Sequence, residues 1–188
     1  MSKYTHISSA TTTTLAEKSD YSINNATNRR GNDIVKINKI SITNFDTASA
    51  TIKVFLDGVT TAVRTVNQSN STTNKIIFDQ ENIVKKGDLI EVGDQVWDVA
   101  SPALHGLVSS LNPDGDNTKE IQISASVAIT NDETLNFQKP DHYITGVITI
   151  PAGVTLVLDD PFSFNLFNHS LKVTNTTAGT ASLTIRIE

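Results

Sequence analysis

The sequence predicts an all-β protein: an antiparallel β-sandwich, jelly-roll-like, with a small β-barrel inserted into it. Apolar residues recur with a period of two along several short runs, the pattern of strands with one buried face. Turn residues (Gly, Pro, Asn, Asp) interrupt those runs at short, regular intervals, which suits antiparallel hairpins rather than crossover helices. No long segment carries the 3.6-residue period of an amphipathic helix; residues 77–86 alone could form a single turn.

The last third is the clearest. Ile148 and Ile150 precede a Pro-Ala-Gly turn, and Val154, Leu156 and Leu158 resume beyond it. Leu171 and Val173 follow, then Asn-Thr-Thr-Ala-Gly-Thr, then Leu183, Ile185 and Ile187. Residues 34–66 read the same way. Ile34 to Ile37 leads to Ile40 and Ile42, the turn-forming Asn44-Phe45-Asp46, and a run that places Ile52, Val54 and Leu56 on one face. Asp57-Gly58 is a hairpin-turn signal. Residues 67–75, NQSNSTTNK, have no apolar side chain and form the expected domain boundary.

Residues 76–138 break into short apolar clusters: Ile76 to Phe78, Ile83-Val84, Leu89 to Val92, Val96 to Val99, Leu107-Val108, Ile121 to Ser124 and Thr134 to Phe137. This is the expected inserted barrel. The two or three strands of 34–66 cannot bury a core alone, so they are expected to join 142–188 as one split sandwich. Residues 1–33 are polar, with Thr11 to Thr14 in a row, and read as an N-terminal arm, either a frayed terminus or a segment anchored at Tyr4, Ile7, Leu15, Tyr21 and Ile23 that orders on a neighbouring subunit.

Composition narrows the function. The chain has 188 residues, 38% apolar and 19% charged, which permits a packed core. Thr suits strands because its branched β-carbon packs on a pleated surface, while Ser and Asn suit turns. The net charge is −5, and no basic run exceeds the pairs Arg29-Arg30 and Lys85-Lys86. Neutralising a nucleic-acid backbone is therefore not an expected role. No apolar segment has the length of a membrane helix, and the N-terminus lacks the apolar stretch of a secretory leader, so synthesis and use without export are expected. The chain has no cysteine, which excludes disulfides and thiolate chemistry. Triplets such as Asn70-Ser71-Thr72 and Asn175-Thr176-Thr177 are expected to be compositional rather than glycosylated.

No group of residues declares a reaction. His6, His105, His142 and His169 show no metal-ligand spacing. No Gly-x-Ser-x-Gly elbow exists and adjacent strand residues point to opposite faces, so a domain-boundary turn is the expected role of Asp141-His142 rather than part of a triad. Asp114-Gly115-Asp116-Asn117 begins like a calcium loop, but its twelfth position is Ala125 where a glutamate is needed, and a solvated turn is expected. Asp159-Asp160 precedes Pro161 and caps a strand. Trp97 and the Phe162, Phe164 and Phe167 cluster could stack on sugars, although core packing is the default for aromatics. Glu91, Asp94, Asp98 and Glu120 supply carboxylates, but nothing in the sequence fixes the separation that acid–base catalysis requires. No catalytic, cofactor-binding or metal-binding residue is expected.

Several runs carry a resemblance. Lys39 to Asn44, Ala50 to Gly58, Ile150 to Asp160 (IPAGVTLVLDD) and Ser170 to Thr174 resemble strand-turn-strand patterns of small structural proteins of tailed bacteriophages, of the marine T4-like type that infects cyanobacteria. The opening YTHISSATTTTLAEK is similar to the start of such proteins. The V-x-x-G-D-x-I pattern of Val84 to Ile90 and the T-L-x-F of Thr134 to Phe137 resemble phage barrel modules. The chain departs from the family at residues 16–33, which are longer and more polar. The resemblance implies a non-enzymatic virion component: a capsid decoration, a neck or collar part, or a tail or fibre accessory. It implies contacts with other virion proteins, a homo-oligomer with a trimer favoured, and a location in the virion after synthesis in the bacterial cytoplasm. A glycan- or receptor-binding fibre module is the rival expectation.

Overall fold

A computed structural model describes residues 2–17, 34–79, 90–115, 119–177 and 180–188, and no helix occurs among them. The protein is an all-β, antiparallel β-sandwich with an inserted β-barrel. The chain divides into two compact units: residues 1–57 with 141–188, and residues 58–140.

The first unit is the sandwich. Strands β1 (Lys3–Ser9), β2 (Thr12–Ala16), β3 (Ile34–Ile37), β4 (Ile40–Asn44) and β5 (Ala50–Gly58) precede the barrel. After the six barrel strands come β12 (His142–Tyr143), β13 (Ile148–Ile150), β14 (Thr155–Leu158), β15 (Phe162–Asn165), β16 (His169–Asn175) and β17 (Thr180–Ile187). One sheet runs β1-β17-β4-β14; the other runs β12-β5-β16-β2, with β13 also on β5; β15 and β3 form a separate ribbon. Successive strands change sheet (β1 to β2, β4 to β5, β13 to β14, β16 to β17), which gives the jelly-roll-like weave.

The alternation read from sequence explains the packing. Ile40, Ile42, Leu183, Ile185 and Ile187 face inward from the first sheet. Ile52, Val54, Leu56, Leu171 and Val173 meet them from the second, and Val35, Ile37 and Phe164 of the ribbon join the same core. Each such side chain, removed from water, contributes about 1.5–3 kcal/mol. Two asparagines are buried with them. Asn44 donates from Nδ2 to the carbonyls of Ala48 (2.8 Å) and Ile150 (3.0 Å) and accepts from the Asp46 amide (3.0 Å). Asn175 donates to the Ser9 carbonyl (3.1 Å) and accepts from the Thr177 amide (3.1 Å). Both satisfy turn backbone that leaves the sheets, as buried polar groups must.

The second unit is the barrel: β6 (Thr60–Thr65), β7 (Asn70–Ile77), β8 (Gln95–Asp98), β9 (Leu104–Leu111), β10 (Glu120–Ile129) and β11 (Thr134–Gln138), in the order β6-β11-β8-β9-β10-β7. A bridge between Val66 and Phe78 brings the two ends of that order together, with the Asn67 amide on the Ile77 carbonyl (2.8 Å) and the Asp79 amide on that of Thr65 (3.0 Å). Closure removes the open edges of this sheet. Ile76, Phe78, Val96, Val108, Ile121, Ile123, Leu135 and Phe137 fill the interior, and the rings of Phe78 and Phe137 meet edge-on at 5.8 Å.

The start of the inserted unit differs from that expected. Residues 60–66 belong to the barrel rather than the sandwich, and the polar run 67–75 is largely strand β7 rather than a boundary loop. Its Asn, Ser and Thr side chains mostly face solvent, so the strand shows no apolar alternation until Ile76. Asp57-Gly58 is not a hairpin turn, because β5 and β6 never pair; it is where the chain passes from one unit to the other. Glycine is required there: a β-carbon on Gly58 would lie 1.7 Å from the Lys139 carbonyl oxygen. Residues 3–16 are likewise no arm, because Ile7 and Leu15 are buried in the sandwich core and β1 and β2 each complete a sheet. Tyr21, Ile23, Arg29-Arg30, Ile83-Val84, the Lys85–Leu89 run and Asp116-Asn117 lie outside the described residues.

Candidate interaction surfaces

The outward face of the first sheet is a set of aligned rungs. Tyr4, Arg186, Ser41 and Val157 share one; His6, Thr184, Thr43 and Thr155 share the next. Cross-strand contacts tie these side chains together. The Arg186 guanidinium lies 5.6 Å from the Tyr4 ring centre and pairs with Glu188, His6 Nδ1 is 3.4 Å from Thr184 Oγ1, and the Thr43 and Thr155 hydroxyls are 2.9 Å apart. Such pairs contribute a few tenths of a kcal/mol each, to about 1 kcal/mol. Among the described residues β1 and β14 each pair on one side only, so both present backbone donors and acceptors outward.

The outer face of the second sheet carries an aromatic and a cation. Phe55 on β5 lies opposite Tyr143 on β12, their ring centres 6.0 Å apart. Lys53, two residues earlier on the same face of β5, holds its ammonium 5.0 Å from the Phe55 ring and 5.3 Å from that of Tyr143. Tyr143 is 56% exposed. Further along, Lys172 pairs with Asp57, and the Thr12 and Thr174 hydroxyls meet at 2.8 Å.

In the barrel, the sequence-flagged carboxylates resolve into lysine clasps. The Glu91-Val92-Gly93-Asp94 turn, with Gly93 at φ 97°, lets Asp94 accept from the Glu91 amide at 2.9 Å. Lys139, which follows β11, donates to Glu91 Oε2 at 2.6 Å and to the buried Asp94 Oδ1 at 2.7 Å. Burial works against the charged amine, but hydrogen bonds and charge from both carboxylates outweigh it, and the Lys139 pKa is raised. Lys75 is the counterpart for Asp114 and the buried Glu120, and its pKa is also raised, chiefly by the Asp114 hydrogen bond. Asp98 caps a turn by accepting from the amides of Ala100 and Ser101. Glu91 and Asp94 are thus brought together, as counter-ions of a lysine; Asp98 and Glu120 do not join them.

The remaining sequence candidates are dispersed. His6 sits on β1, His142 is exposed opposite Leu56, and His169 opens β16. His105 bonds Glu133 at 2.9 Å; the other oxygen of that carboxylate accepts from the Thr130 amide and so steadies the turn into β11. Asp141 immediately precedes His142 on the chain, and Asp159-Asp160 is an exposed pair after β14. Among the described residues no three His, Cys, Asp or Glu side chains are grouped to hold a metal ion. Phe164 and Phe167 are buried, Phe162 packs against the sandwich core, and Trp97 donates to Gln95 at 3.1 Å, so these aromatics are framework. Tyr143 is an exposed ring that sequence reasoning missed. Its signal is a cross-strand register with Phe55, visible only once β5 and β12 are known to pair.

No protein-family model matches the chain, and no curated protein matches it.

Proposed function

We propose that this chain is a non-enzymatic structural component of a tailed-phage virion, a capsid decoration protein or a neck or tail accessory that acts through subunit–subunit contacts. The observation that carries the reading is the sandwich itself: a buried apolar core bearing outer rungs tied by cross-strand contacts, with sheet edges that pair on one side only among the described residues. An edge of this kind is a hazard in a free monomer and an asset in a symmetric assembly, where a neighbour covers it. The resemblance of Lys39 to Asn44, Ala50 to Gly58 and Ile150 to Asp160 to virion structural proteins points the same way. On this reading the partners are major capsid, neck or tail proteins and further copies of the chain, with a trimer favoured by virion symmetry. No cofactor, nucleic acid or membrane takes part, and the protein resides in the virion after synthesis in the bacterial cytoplasm.

The test is quantitative peptide mass spectrometry of phage particles purified by density gradient. The expected result is a fixed ratio of this chain to the major capsid protein, unchanged by salt washing; loss of the chain on purification would overturn the reading. Exposed Tyr143 beside Lys53 supports a second reading, a glycan- or receptor-binding fibre module. Tyr143→Ala particles that retain the protein but no longer attach to cells would favour it.

A further inference from the structure

Among the described residues the first sheet of the sandwich has four strands, and every neighbouring pair in it is antiparallel. With an even number of strands its two edges, β1 and β14, run in opposite directions. A second copy, rotated about an axis along the strands, presents its β1 in unchanged direction, so β14 of one copy and β1 of the next meet antiparallel. We propose that these two edges pair, carrying the sheet from chain to chain, with Tyr4 of one copy across from Val157 of the other. This inference rests on the assembly reading above and names the surface through which identical copies meet.

The register follows from the rungs. Tyr4 and Val157 already stand at the two ends of one rung, through Arg186 and Ser41, so pairing them continues the rung without an offset between copies. The faces agree. Tyr4 and Val157 are 63% and 45% exposed large apolar side chains on the outer face, whose apposition would remove both from water. On the inner side the same register sets Thr5 across from Leu156, a residue packed against the sandwich core. The charges agree as well. Asp159 and Asp160 follow β14 and Lys3 begins β1; antiparallel pairing brings these ends together, with Lys3 across from Leu158 and diagonal to Asp160. Two copies of β14 paired with each other would bring no cation to the aspartates. Finally, neither strand contains proline, and β14 (TLVL) carries no charge.

The cysteine-free chain makes the test clean. Tyr4→Cys and Val157→Cys proteins, each at an exposed position, are purified separately, checked for unchanged circular dichroism, mixed and oxidised. The expected product is a mixed disulfide dimer, absent from either protein alone, and a ladder of oligomers from the doubly substituted chain. Asp160→Lys is expected to weaken self-association by about twofold to fivefold, the range of a partly exposed ion pair, and Lys3→Glu in the same chain to restore it. Mixed cross-links no stronger than those of Tyr4→Cys alone would overturn the proposal, as would a wild-type chain that sediments as a monomer at high concentration. If the wild type is oligomeric but does not cross-link, this edge pairing falls while the assembly reading stands. If the chain cross-links as expected but is absent from particles, the assembly of copies stands and the virion reading falls.

Discussion

Asn44 and Asp94 are polar residues buried nearly to completion, and each is held by a different kind of bond. Asn44 satisfies two carbonyls and one amide, so Asn44→Ala leaves three backbone groups without their partner. The expected cost is about 2–3 kcal/mol in denaturant unfolding, against less than about 0.5 kcal/mol for the exposed Asn131→Ala. Asp94→Asn removes a charge from beside Lys139 and should cost about 3 kcal/mol, the scale of a buried pair broken on one side. The same clasp sets a pH dependence. Because the folded-state pKa of Lys139 is raised above its ordinary 10.5, the clasp contributes fully below that pH and is lost as pH rises past it. Denaturation midpoints followed into strong alkali should fall for the wild type and less for Lys139→Met. Sequence showed Asn44 as a turn residue and Asp94 as a carboxylate, but not the carbonyls or the lysine each one serves. Asp94 and Lys139 are 45 positions apart, and only the register of β8 against β11 makes them neighbours.

Strands with a buried face of Ile, Val and Leu were legible as elements: β4, β5, β16 and β17 all lie where period-two alternation places them. The strands that escaped are those whose apolar residues are few. β1 and β2 each bury one large aliphatic, Ile7 or Leu15, among threonines and serines, and so resemble a polar arm. β7 buries Ile76 near its end and looks like a loop before it. The crossing from β5 to β6 was misread for another reason: Asp-Gly is common in hairpins, but here glycine is demanded by the Lys139 carbonyl rather than by a tight turn. Gly58→Ala should therefore destabilise by about 1–3 kcal/mol, the range for an overpacked site, or displace the 139–140 backbone. Thermal unfolding checks this, with Gly146→Ala, where an added β-carbon meets nothing, as the control. An unchanged midpoint for Gly58→Ala would refute the close pass.

At the scale of the molecule, each unit has a core of its own: one filled by the two sandwich sheets and their ribbon, one by the closed barrel. The split organisation was legible because the strands of 34–57 need those of 142–188 to bury their faces. The start of the insertion was not, because the polar run 67–75 looks more like a boundary than Asp57-Gly58, which reads as a hairpin turn. The two units treat their edges differently: the barrel closes on itself, whereas among the described residues β1 and β14 of the sandwich pair on one side only. That difference is why the proposed assembly is assigned to the sandwich. A symmetry-resolved reconstruction of purified phage particles checks the proposed virion role. Density for the sandwich is expected at symmetry-related positions on the head, neck or tail, with its edges against neighbouring subunits. Particles complete in every resolved protein but with no density for the sandwich would contradict it.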